Sequence, residues 1–166
     1  MLKPAAFLDR DGVINKEKGY LYKVDDFEWI EGARESIKYL NDIGYYVFIV
    51  TNQSGIAKGY YSEIDVISLH AYITEELKII DAHIDEFFIS PYHPDNTIDY
   101  LHLSHMRKPD IGMLNLAASK WPIDKSKSFL IGDKDTDIKS AEKFSIRGHL
   151  YRNGNLLEFI KLSEKL

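Results

Sequence analysis

Residues 5–15 read Ala-Ala-Phe-Leu-Asp-Arg-Asp-Gly-Val-Ile-Asn. The apolar run Ala5–Leu8 stops at two aspartates one residue apart, with Gly12 behind them as a turn residue. The stretch is therefore predicted to be a buried strand that ends in polar chemistry. Side chains two apart in an extended chain point the same way, so Asp9 and Asp11 can converge on one small volume. Like charges repel there unless a cation or proton intervenes, and a hard cation such as Mg²⁺ suits carboxylate oxygens. Open α/β sheets carry their sites at such strand ends. Taken alone, Asp-Arg-Asp-Gly would serve equally well as a solvated turn, so the rest of the chain must decide.

Working outward, residues 16–31 mix aromatics, acids and a glycine without helical or alternating period, which predicts a loop folded back over the aspartates, with Gly19-Tyr20 placed to touch a ligand. A helix is predicted over 31–43, with Ala33, Ile37 and Leu40 inward and Gly44 as its stop. The continuous apolar run 46–50 predicts a buried parallel strand, and it ends in Thr51-Asn52-Gln53-Ser54-Gly55-Ile56-Ala57-Lys58-Gly59. A hydroxyl and an amide beside glycine-freed N–H groups suit a phosphate cradle, though a plain polar loop fits that segment as well.

A long amphipathic helix is predicted over 62–80, opened by Ser62 and Asp65 and carrying Ile64, Ile67, Ile73, Leu77 and Ile80. A short strand over 85–89 leads into an irregular loop, then the basic pair Arg107-Lys108 before Pro109, then a helix over 110–120 with Ile111, Leu114, Ala117 and Ala118 inward. A strand over 128–131 breaks off into Gly132-Asp133-Lys134-Asp135-Thr136-Asp137, whose acids suit a metal, a helix start, or both together. A helix to Phe144, a strand over 148–151 and a helix from Asn155 complete an alternating βα series, the mark of an α/β protein with a parallel sheet.

The 166 residues are 45% hydrophobic and 28% charged, as expected of one folded domain over 1–166. A net charge of -5 argues against a general nucleic-acid or membrane surface, and the absence of cysteine excludes disulfide and thiolate chemistry. No leader-like or membrane-length apolar run stands out, so the expected location is the cytoplasm.

Asp9-Arg10-Asp11-Gly12, Thr51-Asn52-Gln53-Ser54-Gly55, Arg107-Lys108-Pro109 and Gly132-Asp133-Lys134-Asp135 occur in that order, each read as the chemistry in which a strand ends. Together with Gly19-Tyr20, they resemble the haloacid dehalogenase-like phosphohydrolase superfamily, over nearly the whole chain. They most resemble its branch acting on heptose bisphosphate and histidinol phosphate. The resemblance implies a Rossmann-like three-layer fold with a mainly parallel central sheet, without the inserted cap common in the superfamily. It implies a Mg²⁺-dependent phosphomonoesterase, with Asp9 the nucleophile and Asp11 the general acid/base. Thr51 and Lys108 match the groups that hold the transferring phosphoryl oxygens. Asp9, Asp11 through its carbonyl, and Asp133 match the magnesium ligands, while Asp137 supports that shell by hydrogen bonding. Substrate contacts are expected from Glu17, Lys18, Gly19, Tyr20, Asn52, Gln53, Ser54, Arg107 and Lys134.

A small phosphorylated sugar is the implied substrate, most of all the C7 phosphate of a heptose 1,7-bisphosphate, with histidinol phosphate as the rival and a monomer as the expected state. A polynucleotide phosphatase shares part of the pattern but sits poorly with the acidic chain. A catalytically dead scaffold would have lost Asp9, Asp11 or Lys108, and all three are present. The branch typically holds a zinc knuckle in its late loop. Ser90, Tyr92, Ser104 and Met106 stand at the ligand positions, so no structural zinc is expected, and His93, His102 and His105 lack a recognisable ligand spacing.

Overall fold

The computed structural model describes residues 1–96 and 99–165. Five strands, β1 (Ala5–Leu8), β2 (Tyr46–Asn52), β3 (Glu86–Ser90), β4 (Phe129–Gly132) and β5 (Arg147–Leu150), form one sheet in the order β3-β2-β1-β4-β5. Every pairing is parallel, so the expectation of a mainly parallel sheet is met in full. The helices between and after them are α1 (Ala33–Asp42), α2 (Glu63–Lys78), α3 (Gly112–Lys120), α4 (Asp135–Phe144) and α5 (Leu156–Ser163).

Strand alternation builds the two cores. Ala6, Leu8, Val47, Ile49, Phe129 and Ile131 face α1, α2 and α5, whereas Ala5, Phe7, Phe48, Val50 and Leu130 face α3 and α4. Because helices cover both faces, the central strands β1, β2 and β4 read as apolar runs rather than alternating ones. This is the three-layer arrangement expected, and it puts β1 and its two aspartates at the centre of the sheet.

Two helix faces differ from the sequence expectation. In α2 the packed residues are Val66, Leu69, His70, Ile73 and Leu77, while Ile64 and Ile67 are 74% and 59% exposed. The series 66, 69, 70, 73, 77 is the stricter helical stripe, and the sheet selects it over the bulkier isoleucines. In α3, Met113 replaces Ala118 on the buried face. The Ser62 start is as expected, since its side chain accepts from Asp65 N–H and Asp65 returns a bond to Ser62 N–H.

Between β3 and α3 the chain runs through a loop and a 3₁₀ turn, Leu101–Met106, before Arg107; residues 97 and 98 of that loop lie outside the described residues. Arg107-Lys108 therefore arrives from this turn and not from a strand end. Among the described residues, no helix is long and apolar enough to cross a membrane.

Candidate active site

The C-terminal ends of β1, β2 and β4 bring Asp9, Thr51-Asn52 and Asp133 to one edge of the sheet, and the 3₁₀ turn delivers Lys108 into the same place. Lys108 is the hub. Its buried ammonium donates to Asp9 Oδ1 at 2.9 Å, to Asp137 Oδ1 at 2.6 Å and to the Val50 carbonyl at 2.8 Å. Those three contacts use all of its donors. Its backbone is fixed as well, because Lys108 N–H donates to Asn52 Oδ1 at 3.0 Å while Asn52 Nδ2 donates to Lys108 C=O at 3.2 Å.

Burial opposes the charge on Lys108, but Asp9 and Asp137 outweigh it and hold the ammonium well above the ordinary lysine range. Asp9 is pushed up from the usual carboxylate range, first by burial and then by repulsion from Asp137 and Asp133, with Lys108 opposing both. Asp137 has two jobs: Oδ1 accepts from Lys108, and Oδ2 accepts from Lys134 N–H at 3.1 Å at the start of α4.

A divalent cation fits this arrangement. Asp9, Asp133 and Asp137 each place a carboxylate oxygen within 4.8 Å of the others. At that spacing each ionised pair repels by about 3 kcal/mol at an effective dielectric of about 20. Lys108 cancels one of the three charges, and among the described residues Asp133 Oδ1 is buried without a hydrogen-bond donor. An orphaned oxygen beside an excess of two negative charges is the situation a Mg²⁺ ion corrects. Asp137 thus joins the candidate ligands, beyond the supporting role the resemblance gave it.

Glycine is required twice here. Gly12 has φ +88° and lies against the Asp133 carboxylate, and at Gly132 a Cβ would collide with the side chain of Asp137.

Asp11 stands beside this cluster, held by other partners. Arg10 Nη2 donates to both of its oxygens at 3.0 Å, Asn15 Nδ2 to Oδ1 at 3.0 Å and Gln53 Nε2 to Oδ2 at 3.0 Å. Gln53 Nε2 also donates to Thr51 Oγ1 at 2.8 Å, and its carbonyl accepts from Tyr61 at 2.6 Å. Thr51 is buried behind that amide.

Three cavities meet at Glu17. A narrow one of about 50 Å³ is lined by Asp9, Asp11, Asn52, Lys108, Lys134 and Asp137. It adjoins a cavity of about 290 Å³ between Asp11, Gly19, Tyr20, Gln53, Ser54 and Lys134. A third, of about 490 Å³, opens on the far side of Asp133 toward Arg152. The structure therefore gathers Glu17, Gly19, Tyr20, Asn52, Gln53, Ser54 and Lys134 around the carboxylates. Lys18 is not among them: its ammonium is drawn 3.4 Å from Glu28, because the loop turns it outward. Arg107 is half-buried beyond the cavity, donating to Tyr92 C=O at 3.4 Å.

Several site residues carry no signal in the sequence. Arg10, Asn15 and Tyr61 fix Asp11 and Gln53 through contacts that fold topology creates. Lys58 was visible only as part of the glycine-rich segment, yet its ammonium holds the Tyr20 hydroxyl at 2.6 Å.

A carboxylate–lysine cluster at the parallel strand ends, with a second aspartate two residues beyond the first, defines a phosphohydrolase of the haloacid dehalogenase type. Residues 5–149 match the family model described as polynucleotide kinase 3 phosphatase. The chain is 42% identical over 160 residues to a D-glycero-beta-D-manno-heptose-1,7-bisphosphate 7-phosphatase of Rhodopseudomonas palustris, covering 96% of this chain and 89% of that one. It is also 42% identical, over 90% of this chain and 83% of the other, to the alpha-anomer 7-phosphatase of Photorhabdus laumondii. A D,D-heptose 1,7-bisphosphate phosphatase of B. bronchiseptica, solved with magnesium and phosphate, superposes with a TM-score of 0.80 at 26% identity, over 96% of this chain and 86% of that one. The chain belongs to this family of haloacid dehalogenase-like phosphatases.

Proposed function

We propose that the chain, acting as a single domain over 1–166, is a Mg²⁺-dependent phosphomonoesterase that removes the C7 phosphate of a D-glycero-D-manno-heptose 1,7-bisphosphate. The observation that carries this reading is the buried Asp9–Lys108–Asp137 cluster beside the orphaned Asp133 oxygen. The heptose substrate is supported by the 42% identity over nearly full length to phosphatases named for it. A polynucleotide substrate, suggested by the description of the family model, is disfavoured by the net charge of -5.

Asp9 attacks phosphorus, forming the acyl-phosphate bond as the ester O–P bond breaks. To act as the acid, Asp11 first takes a proton from solvent in place of one of its N–H donors; it gives that proton to the departing oxygen, then takes one from the water that attacks the phosphoenzyme and frees Asp9. Lys108 orients Asp9 in the resting protein. Once the Asp9 oxygen is bonded to phosphorus in the acyl-phosphate its charge is gone, and the ammonium turns to the phosphoryl oxygens, where Thr51 also contributes. Asp9, Asp133 and the Asp11 carbonyl would hold magnesium, with Asp137 beside them, and the bound ion would supply positive charge against the phosphate.

The sugar lies between Gly19-Tyr20 and Asn52-Gln53-Ser54, with Lys134 at the phosphate end. Arg107 reaches the second phosphate by exchanging its Tyr92 contact. The protein works with magnesium and without structural zinc, as a monomer in the cytoplasm, the late loop being held by packing around Pro91 and Tyr92. Steady-state kinetics on both anomers of the bisphosphate and on histidinol phosphate test the assignment. A kcat/KM higher for histidinol phosphate than for either anomer would replace it.

A further inference from the structure

Arg10 sits between the nucleophile and the acid/base and is completely buried. Burying a guanidinium costs several kcal/mol unless its donors are met, and here the compensation is specific. Nη2 meets both Asp11 oxygens at 3.0 Å and the Leu21 carbonyl at 2.8 Å. Nη1 donates to His70 Nε2 at 3.3 Å, and among the described residues Nε has no partner. His70 is itself buried on the packed face of α2, its ring stacked on Phe87 with centroids 4.3 Å apart. An arginine can only donate, so the imidazole must accept through Nε2 and is neutral. Desolvation and the adjacent guanidinium agree with this, holding His70 down to about 3.

We propose that Arg10 and His70 are positioning residues for the acid/base. The Phe87-stacked imidazole fixes the Arg10 guanidinium, and the guanidinium fixes the Asp11 carboxylate relative to Asp9. Helix α2 thereby sets the geometry of proton transfer through a side chain that lines none of the three cavities. Asn15 and Gln53 hold Asp11 from its other sides, so loss of His70 loosens the carboxylate without releasing it. The inference rests on Asp11 acting as proton donor, as proposed above.

Proton donation matters for an alkyl leaving group and little for p-nitrophenolate, so the ratio of the two separates positioning from general damage. Single-turnover phosphoenzyme formation is measured with heptose 1,7-bisphosphate and with p-nitrophenyl phosphate, for wild type, His70→Phe, His70→Gln, Arg10→Met and Asp11→Asn. His70→Phe keeps the stack on Phe87 and removes the acceptor. It should slow the alkyl ester about tenfold more than the aryl ester, with KM little changed. His70→Gln restores an acceptor and should recover most of that loss, while Arg10→Met should approach the leaving-group dependence of Asp11→Asn. Should Arg10→Met fail to fold, the two His70 variants decide. Equal effects of His70→Phe on both esters, beside a leaving-group-dependent Asp11→Asn, would overturn the relay. An Asp11→Asn variant that loses both esters equally would overturn the role of Asp11 itself, and the relay with it.

Discussion

Lys108 Nζ lies 2.9 Å from Asp9 Oδ1, and both groups are buried although 99 positions separate them in the sequence. The contact ties the proposed nucleophile to the buried cation that balances part of the carboxylate cluster. Lys108→Met should therefore lower kcat by at least about a hundredfold, since charge development at the phosphoryl group loses its fixed partner. It should also destabilise the fold by about 3–5 kcal/mol, because Asp9 and Asp137 are left buried without their donor. Chemical denaturation and kcat together check this; a variant of wild-type stability would mean that the carboxylates do not depend on the lysine.

Asp133→Asn keeps the shape of the side chain but removes the charge whose Oδ1 has no donor in the folded protein. Magnesium affinity should fall by at least about tenfold, read from the Mg²⁺ dependence of both activity and thermal midpoint. EDTA should abolish wild-type activity and Mg²⁺ alone should restore it, with less than stoichiometric zinc in protein purified without added metal. One firmly held zinc per chain would show that the late loop carries a metal after all.

Arg107→Ala should reduce kcat/KM for the bisphosphate by about ten- to a hundredfold, the value of a lost charge-assisted bond, and alter p-nitrophenyl phosphate hydrolysis far less. Competition kinetics on the two esters provides the check. Equal losses would place Arg107 with the reacting phosphate or with the fold around Tyr92.

His70 also predicts a pH dependence of stability. Its native pKa is depressed to about 3 from an ordinary 6.5, so the unfolded state binds a proton over that interval and the native state does not. The contribution is fully present above about pH 6.5 and is lost as pH falls toward 3. Between pH 7.5 and 5.5 wild type should lose about 1 kcal/mol more than His70→Gln does. Denaturant titrations at the two pH values measure the difference; parallel losses would show that His70 is not held neutral.

Much of this molecule was legible in the sequence, for identifiable reasons. The central strands were readable because helices cover both sheet faces, which makes β1, β2 and β4 apolar runs that break off at polar residues such as Asp9 and Thr51. The face of α2 was not, because Ile64 and Ile67 mimic a stripe that only the packed sheet can reject in favour of Val66, Leu69 and His70. Nor was the place of Arg10, since a cation between two acids usually points to solvent, and only the approach of α2 and Leu21 makes it a core residue. The position of Lys18 was not legible for the converse reason: its sequence neighbours line the cavity, but its ammonium lies 3.4 Å from Glu28, as a loop side chain follows the nearest acid.

The most direct test is to quench the reaction with heptose 1,7-bisphosphate in acid within a single turnover and map the phosphorylated peptide by mass spectrometry. The phosphate should be found on Asp9 in wild type, should accumulate there in Asp11→Asn, and should be absent from Asp9→Asn, which should also be inactive. Turnover of the bisphosphate by Asp9→Asn, or release of phosphate by wild type with no labelled Asp9 peptide at any time, would contradict the mechanism.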